Sequence, residues 1–386
     1  ALEAPAMEAP AMRDAEPTRR FRAPGRVNLI GEHTDYNDGL VMPAAIQFDT
    51  RVSVVPRTDR ILRMHSQNLG TEREVALPPP GSGRRPARSG DWSDYVVGVA
   101  CELLDAGFAL TGADLQVQGS VPIGSGLSSS ASLEVASALA LLATDGGELA
   151  PMRLAQLCQR AENNFVGARC GLMDPFASVH GRAGCALFFD CRSLEYQPVP
   201  LGGAALVVCN TMVRHQVAGG EYNRRRAECE AGVQALAAGR PDIRSLRDVE
   251  PADLTAARAT LDPVIYRRCR HVLSENARVL AMRAALPAGS FEEAGDLMRE
   301  SHESLRVDFE VSCAELDLMV TLARQVPGVY GARMTGGGFG GCTVNLVAEA
   351  AVPEMLRYVG ERYERSTGRR PEIYRCEPVD GAGPVT

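Results

Sequence analysis

The sequence has no excess of basic residues. Its 386 residues include 41 Lys plus Arg and 48 Asp plus Glu, so the net charge at neutral pH is −7. A chain with this balance has no overall attraction for the phosphate backbone of nucleic acids or for anionic lipid surfaces. The composition therefore argues against nucleic acid and membrane as partners.

The sequence also lacks long apolar runs and paired cysteines. No segment approaches the roughly 20 consecutive apolar residues that cross a bilayer. The N-terminus, in which Glu3–Met7 is repeated as Glu8–Met12, carries acids where a secretory signal needs a basic start, and we expect a flexible tail. The 11 cysteines contain no Cys-x-x-Cys pair, so the sequence suggests neither a zinc ribbon nor a disulfide framework. We expect a cytoplasmic protein with reduced thiols.

The length and the pattern of apolar residues predict two domains. The chain exceeds the size at which single cores stop growing. Strand patterns and apolar helices extend to an interior strand at 201–210, and long charged helices follow between 222 and 324. Mixed strands and helices in both halves are typical of an α+β fold rather than a regular βαβ array. We assign residues 1–17 to the tail, 18–205 to an N-terminal domain and 206–386 to a C-terminal domain.

Local patterns predict the elements that surround the motifs. An apolar Ala/Leu-rich helix over 128–143, which Gly146-Gly147 ends, is expected to be buried. Strands at 26–30 and 40–46 flank a polar loop whose Asp38-Gly39 favours a tight hairpin turn. The Pro/Gly/Ser/Arg segment at 78–90 reads as an exposed loop. Further predictions are a helix from about Trp92, a strand at 115–121, a helix over 352–366 and a last strand at 372–376.

A glycine- and serine-rich segment, Pro122–Ser132, joins the strand at 115–121 to the buried helix. Its glycines let backbone N–H groups close on an anion, and the helix start adds the positive end of its dipole. A plain serine-capped turn is the alternative for so short a motif. A P-loop requires a lysine after its glycines, and none follows here. Ser129 replaces the third glycine of a dinucleotide motif, so neither of these two phosphate sites fits. We predict a phosphate site in which Mg²⁺ supplies charge compensation.

A second glycine cluster, Gly336–Gly341, formally spells G-x-G-x-x-G. A strand pattern follows it, whereas a dinucleotide-binding motif opens a helix. We therefore expect this cluster to let two backbones, or a backbone and a ligand, approach closely.

An acidic loop at 31–39 contains far more hydrogen-bonding groups than a turn requires. Glu32, His33, Asp35 and Asp38 lie within one short segment, and hydroxyl-rich ligands need such groups. A solvated hairpin tip is the alternative, and a metal site is weaker because the spacing matches no common ligand pattern. The loop alone does not decide between them.

Three motifs together resemble one enzyme family. Residues 25–37, GRVNLIGEHTDYN, are similar to the galactokinase signature; GLSSSA at 126–131 resembles the ATP motif of the GHMP small-molecule kinases, and MTGGGFGGC at 334–342 resembles their third motif. Shorter similar segments lie at 170–174, 190–194, 213–215, 221–222 and 301–302. The resemblance implies a mixed-sheet N-terminal domain, a C-terminal domain of antiparallel sheet and helices, and an active site in the cleft. The implied reaction transfers the γ-phosphate of ATP to the anomeric hydroxyl of D-galactose.

The resemblance also implies roles for individual residues around the sugar. Asp174 falls on the catalytic carboxylate position, with Arg26 beside it. A loose phosphoryl-transfer transition state needs little activation of the nucleophile, so orienting the hydroxyl and accepting its proton late can suffice. The residues that fall where the family holds the sugar are Glu32, His33, Asp35, Gly171, Asp174 and Tyr222.

On the nucleotide side, Trp92 and Tyr95 fall in the adenine region, although Trp92 could equally be ordinary core. Ser130 and Glu162 match the Mg²⁺ ligands of the family; alone, Glu162 would read as a solvated helix charge. The implied cofactors are thus ATP and Mg²⁺, and we expect a monomer. The residues expected to face the ATP phosphates are Gly124, Ser125, Gly126, Leu127, Ser128, Ser129, Ser130 and Ala131.

The sequence departs from the family at Pro175, where glutamine is usual. Proline suits the first position of a helix, so we expect Asp174 to cap a short helix over 175–180. We expect the catalytic aspartate to be preserved while sugar selectivity or rate differs. One alternative is a kinase of N-acetylgalactosamine, arabinose or galacturonate; another is a non-catalytic galactose sensor, which the intact Ser130-Ala131 argues against.

Overall fold

The structure, a computed structural model, describes residues 19–122, 124–214 and 218–385. The tail at 1–17 and His215 of the motif at 213–215 lie outside these residues. The strands are β1 (Arg19–Asn28), β2 (Leu40–Val41), β3 (Pro43–Pro56), β4 (Ile61–Ser66), β5 (Thr71–Ala76), β6 (Ala113–Gly119), β7 (Cys185–Asp190), β8 (Tyr196–Pro200), β9 (Ala204–Arg214), β10 (Val329–Thr335), β11 (Gly340–Ala348), β12 (Glu372–Cys376) and β13 (Gly383–Pro384). The α-helices are α1 (Ser93–Asp105), α2 (Ser129–Asp145), α3 (Pro151–Ala161), α4 (Met173–His180), α5 (Ala218–Ala237), α6 (Pro251–Ala256), α7 (Pro263–Ala285), α8 (Phe291–Val307), α9 (Ala314–Ala323) and α10 (Val352–Thr367).

The N-terminal half is built on a mixed sheet with strand order β13-β1-β3-β6-β4-β5. Only the β4–β6 pairing in it is parallel among the described strands. Helices α1, α2 and α3 pack with this sheet around one apolar core. Helix α2 is buried along most of its length and ends at Gly146, which adopts the left-handed conformation. The predicted buried helix is therefore confirmed.

The C-terminal half is built on an antiparallel sheet with strand order β10-β11-β9-β12. Helices α9 and α10 share an apolar core with this sheet, and α5, α7 and α8 form a neighbouring helical layer. A small sheet, β2-β7-β8, combines a strand from the β1–β3 connection with the two strands that precede β9. The predicted boundary at 205–206 falls within β9, and β13 returns to pair with β1, so the predicted domain bounds stay a prediction.

The chain between β1 and β3 differs from the predicted tight hairpin. The two strands pair antiparallel, with Asn28 opposite Pro43, but the connection is a long loop. A 3₁₀ turn at Asp35–Asn37 lies within it, and Glu32 and His33 are buried. The prediction of a tight hairpin turn was wrong, because polar groups of the loop bond to distant elements. The alternative of a solvated hairpin tip is also wrong, because Glu32 and His33 are buried.

Other local predictions can be compared directly. The segment at 78–90 has no regular structure and is exposed, and the strand at 372–376 coincides with β12. All 11 cysteines are free thiols, as the spacing predicted. Among the described residues, none of the helices combines the length and apolar character that a membrane span requires.

Candidate active site

Two cavities meet at the glycine-serine segment. The first, here called the acidic cavity, has a volume of about 320 Å³ and is lined by Glu32, Asp35, Glu162 and Asp174 among others. The second, the aromatic cleft, has a volume of about 540 Å³ and contains Trp92 and Tyr95. The residues that line both are Gly124, Ser129 and Ser130. A ligand that occupies both cavities must therefore pass the start of α2.

The glycine-serine segment turns sharply before α2 begins. Gly124, Gly126 and Ser128 all have positive φ, at 70°, 82° and 60°. Glycine adopts this conformation at little cost, whereas serine rarely does. Ser128 is the N-cap of α2, but its hydroxyl does not bond the helix backbone. Free N–H groups at the first turn and the helix dipole then face the cavities, as an anion site requires.

Asp174 lies at the junction of this segment with the acidic cavity. Arg26 holds its carboxylate in a bidentate pair, with Nε 2.7 Å from Oδ1 and Nη2 2.8 Å from Oδ2. The Ser128 hydroxyl donates to Oδ2 at 2.6 Å. Arg26 also donates to the carbonyl of Gly126 at 2.6 Å. Charge-assisted bidentate pairs of this kind fix orientation as well as contributing energy, so Asp174 is held in one position.

The predicted capping role of Asp174 is wrong. Helix α4 begins at Met173 and its N-cap is Leu172, so Asp174 lies inside the first turn. Its carboxylate does not cap the helix because Arg26 and Ser128 take both oxygens. Pro175 follows in the same turn, where a missing N–H costs little because first-turn donors lack intrahelical acceptors.

Glu32 connects the acidic cavity to the third motif. It is buried, and its Oε1 accepts hydrogen bonds from the backbone N–H of Gly336 at 2.8 Å and the hydroxyl of Thr335 at 3.1 Å. Burial raises the pKa of Glu32, while the positive charges of Arg333 and Arg26 oppose this shift. The loop and the third motif, which are distant in sequence, thus meet at one carboxylate.

His33 and Tyr222 form one wall of the acidic cavity. The two rings lie 5.5 Å apart between centroids, and Nδ1 of His33 bonds the Tyr36 hydroxyl at 2.9 Å. No described residue bonds the buried Nε2 of His33. Burial, above all, lowers the pKa of His33 to about 3, so the ring is neutral at physiological pH. The neutral ring thus adds no positive charge to this wall of the cavity.

Asp35 and Gly171 fit together across the cavity. A Cβ atom on Gly171 would lie 1.8 Å from Oδ2 of Asp35, so only glycine leaves room for the carboxylate. Burial raises the pKa of Asp35 to about 7, and the nearby charge of Asp174 adds to the shift. The acidic cavity thus contains a carboxyl that titrates near neutrality.

Glu162 stands in a single π-helical turn, Glu162–Val166, after α3. Its Oε2 accepts from the Cys170 thiol at 3.2 Å. Burial raises its pKa to about 7, and the hydroxyl of Ser130 is close enough to oppose the shift. A buried carboxylate beside a hydroxyl, with a thiol in place of a cationic partner, is a donor set that suits a hard divalent cation. The residues present therefore fit Mg²⁺.

The second glycine cluster packs against the glycine-serine segment. A Cβ on Gly336 would lie 3.0 Å from the carbonyl oxygen of Gly126, and one on Gly341 would lie 2.8 Å from that of Ser125. The strand β11 begins at Gly340, within this cluster. The expected close approach of two backbones is confirmed, and it brings the third motif to the phosphate segment.

The aromatic cleft contains both residues predicted for adenine. Nε1 of Trp92 donates to the Thr71 hydroxyl at 2.9 Å, and the ring also packs against the core. Tyr95 lies one helical turn away on α1, and Ser66, Asn68 and Leu69 come from β4 and the turn that follows.

Sequence reasoning missed part of this cleft. Arg88 and Gly90 of the exposed loop line it, because the Asp94 carboxylate binds the backbone N–H groups of Ser89 and Gly90 at 2.9 and 2.8 Å. An Asp in the first turn of a predicted helix was the only available signal. In the acidic cavity, the missed residues are Ala168, Cys170, Met173, Gly336 and Gly337.

Most of the predicted site residues are brought together by the fold. Arg26, all six predicted sugar residues, Glu162 and five residues of the glycine-serine segment line the acidic cavity. Three residues of the segment line neither cavity: Ser125, Leu127 and Ala131, all of which are buried behind it. These three support the segment rather than face a ligand directly.

Family models match three parts of the chain. Residues 94–182 match the GHMP kinases N terminal domain, residues 12–56 match the galactokinase galactose-binding signature, and residues 282–365 match the GHMP kinases C terminal model. The second match covers the loop that contains Glu32, His33 and Asp35.

Whole-chain relatives give the same result. The chain is 46% identical to a galactokinase of Roseiflexus sp. (strain RS-1), over 94% of this chain and 92% of that protein. It is 45% identical to a Homo sapiens galactokinase, over 95% and 92%. The crystal structure of Lactococcus lactis galactokinase complexed with galactose superposes with a TM-score of 0.90 at 35% identity, covering 96% of each chain. The predicted two-domain α+β fold is therefore confirmed. Methanococcus jannaschii mevalonate kinase shares the fold at a TM-score of 0.66 and 18% identity, over 94% of this chain and 99% of that chain.

Proposed function

The chain belongs to the galactokinase family of GHMP kinases, and from this premise we propose that it transfers the γ-phosphate of ATP to the anomeric hydroxyl of D-galactose. The products are galactose 1-phosphate and ADP. The observation that carries this proposal is the position of Asp174. Its carboxylate lines the acidic cavity and accepts a hydrogen bond from Ser128, the N-cap of α2.

Asp174 orients the sugar hydroxyl and accepts its proton as the phosphoryl group is transferred. The Arg26 pair fixes both carboxylate oxygens, which keeps the reacting oxygen aligned with the phosphate. Alignment matters more than base strength because the transition state is loose. The chain contains no lysine, so Arg26 is also the basic side chain at this junction.

The walls of the acidic cavity bind the remaining hydroxyls of the sugar. Glu32 and Asp35 supply carboxylate acceptors, and the neutral His33 ring lines the cavity beside them. Gly171 leaves space for the Asp35 carboxylate, and the Tyr222 ring gives one apolar wall. This arrangement suits a polyol with hydroxyls on several faces.

The aromatic cleft binds the nucleotide, with Trp92 and Tyr95 beside the adenine. The triphosphate then follows the first turn of α2, along Gly124, Ser129 and Ser130. Ser130 and Glu162 would hold Mg²⁺, which when bound would neutralise the charge on the phosphate oxygens. The support for this role of Glu162 is its burial beside the Ser130 hydroxyl.

A sugar panel tests the proposed function. Purified protein with ATP and Mg²⁺ should release ADP with galactose at a higher kcat/KM than with N-acetylgalactosamine, arabinose or galacturonate, and ³¹P NMR should identify a sugar 1-phosphate. A higher kcat/KM with another sugar would identify a sibling kinase. Binding of galactose and ATP without ADP release would identify the sensor.

Pro175 provides a test of selectivity within this function. Its ring lies in the first turn of α4, directly after the catalytic aspartate. A Pro175→Gln variant should change the ratio of kcat/KM values across the panel while retaining activity on galactose. Identical ratios would reject the effect of Pro175.

The predicted monomer is checked by light scattering, and the predicted cytoplasmic location by cell fractionation.

A further inference from the structure

Arg333 is a fully buried arginine next to the acidic cavity. It stands on β10, two residues before Thr335, and none of its surface is exposed. Nη1 donates to the carbonyl of Asn28 at 3.2 Å. Neither Nε nor Nη2 donates a hydrogen bond to any residue that the structure describes. A buried cation with so few hydrogen bonds is costly unless neighbouring charges compensate it.

Glu32 supplies one of those charges. Its Oε1 lies 3.5 Å from Nη2 of Arg333, with both side chains buried. The hydrogen bonds from Thr335 and Gly336 reach the same oxygen. Because all three contacts converge on Oε1, the carboxylate is fixed by that atom, and Oε2 is left for a ligand.

Glu275 supplies the second negative charge. It is buried on α7, and its Oε2 pairs with Nη2 of Arg278 at 2.6 Å. Its Oε1 accepts from the backbone N–H of Gly31 at 2.9 Å and from the Ser301 hydroxyl at 2.6 Å. Burial lowers the pKa of Arg333, and the charges of Glu32 and Glu275 oppose this shift. Arg333 therefore contacts Glu32 directly, and the charge of Glu275 favours its protonated form from a greater distance.

These four side chains form a set of two cations and two carboxylates, Arg278 and Arg333 against Glu275 and Glu32, of which all but Arg278 are buried. The set runs from α7 through β10 to the acidic cavity. Glu275 holds the backbone at Gly31, and Arg333 faces the carboxylate of the next residue. Glu275 thus positions the main chain of the acidic loop, and Arg333 positions the side chain of Glu32.

We propose that Arg333 is a positioning residue for sugar recognition, holding Glu32 ionised and oriented so that Oε2 accepts a hydrogen bond from a galactose hydroxyl. This inference rests on the proposed function. Without Arg333, Glu32 would lose the cation that contacts it, and Arg26, the other cation that acts on Glu32, is already paired with Asp174. Glu32 would then take up a proton or move, and in either case the sugar would lose a carboxylate acceptor.

The test measures galactose binding without nucleotide, by isothermal titration calorimetry. Arg333→Gln should weaken galactose affinity by about tenfold or more, because a buried charged acceptor is lost. ATP affinity should change by less than about twofold, since Arg333 is absent from the aromatic cleft. Arg333→Lys keeps the charge but loses the planar guanidinium, so its galactose affinity should lie between those of the wild type and Arg333→Gln. If Arg333→Gln does not fold, Arg333→Lys decides the test.

The double variant Glu275→Gln/Arg333→Gln separates charge balance from packing. It removes one carboxylate together with the cation, so the net charge around Glu32 returns to that of the wild type and galactose affinity should recover by about threefold or more relative to Arg333→Gln. A purely structural role predicts no recovery. Arg268→Gln is the matched control, because Arg268 is buried, pairs with Glu228 at 2.7 Å and lines neither cavity; its galactose affinity should match that of the wild type.

The outcomes distinguish this inference from the proposed function. Wild-type galactose affinity in Arg333→Gln or in Arg333→Lys, or no recovery in the double variant, would overturn the role of Arg333 while leaving the kinase activity intact. Failure of the wild-type protein to bind galactose would instead overturn the proposed function.

Discussion

The acidic cavity and the aromatic cleft are built in different ways. In the acidic cavity, Glu32 and His33 are 2% and 4% exposed, and most polar groups already have partners from distant parts of the chain. In the aromatic cleft, the side chain of Arg88 is 54% exposed and Leu69 is 50% exposed. One site is organised before its ligand arrives, whereas the other is bordered by loops.

This difference indicates where selectivity resides. A buried, prearranged set of acceptors loses hydrogen bonds whenever a hydroxyl is missing or misplaced, and unpaired buried groups are costly. A cleft with half-exposed walls can adjust to its ligand. We therefore expect substitutions in the acidic cavity to have larger effects than those in the aromatic cleft.

The largest expected effect is that of Asp174→Asn. The amide keeps the shape but loses the proton acceptor and one partner of Arg26, so kcat should fall by about a thousandfold. The measurement is ADP release at saturating galactose and ATP. Asp248→Asn, at an aspartate that pairs with Arg192 and lines neither cavity, should leave kcat unchanged. Equal turnover by Asp174→Asn and wild type would refute the catalytic role.

Gly171→Ala should raise KM for galactose by roughly thirtyfold while the protein still folds. The new Cβ would meet the end of the Asp35 side chain rather than backbone, so the carboxylate moves and the fold does not. Gly239→Ala is the control because nothing lies within 4 Å of a Cβ there. Steady-state kinetics and thermal unfolding of both variants check the prediction; an unchanged KM would show that Asp35 does not contact the sugar.

The acidic cavity should also be the pH-sensitive one. Burial raises the pKa of Asp35 to about 7, and the ionised form is the one proposed to accept a hydrogen bond from a sugar hydroxyl. Galactose affinity should therefore be high above that pKa and lost as the pH falls through it, about tenfold weaker at about pH 6 than at about pH 8. His33, with its pKa lowered to about 3, does not titrate in this range.

Galactose titrations without nucleotide or Mg²⁺ measure this pH profile. Asp35→Asn should flatten it, since the amide does not ionise. A wild-type affinity that does not change between those pH values would contradict the predicted titration. A slope that persists in Asp35→Asn would assign the titration to another group.

The smallest effect is expected in the aromatic cleft. Arg88→Ala should raise KM for ATP by about fivefold, because an exposed cation contributes little in water, and should leave KM for galactose unchanged. Arg84→Ala, in the same exposed loop but outside the cleft, is the matched control. If the effect of Arg88→Ala on ATP exceeded that of Gly171→Ala on galactose, the contrast between the cavities would be wrong.

Elements with a strong local pattern could be predicted closely from sequence. Helix α10 and the strand β12 were predicted within one residue, and α2 within two. The first half of β1 was missed because Arg19–Arg22 is only partly buried and is a strand through its pairing with β3. Pairing partners distant in sequence leave no local pattern.

Site residues that belong to a sequence motif could be predicted. Those whose position depends on tertiary contacts could not. Glu32 and Asp174 were identified from their motifs. The position of Asp174 within α4 was missed, because the contacts that override its capping role come from Arg26 and Ser128. Arg88 was missed because its loop has no pattern, and only the Asp94 contacts hold that loop at the cleft.

A ternary complex would test the central claim most directly, that the two cavities form one active site joined at the start of α2. The measurement is a crystal structure with galactose, Mg²⁺ and a non-hydrolysable ATP analogue. We predict the anomeric hydroxyl within about 3 Å of the Asp174 carboxylate and in line with the γ-phosphate. A sugar bound away from Asp174, or a triphosphate that does not reach Ser128–Ser130, would contradict the account.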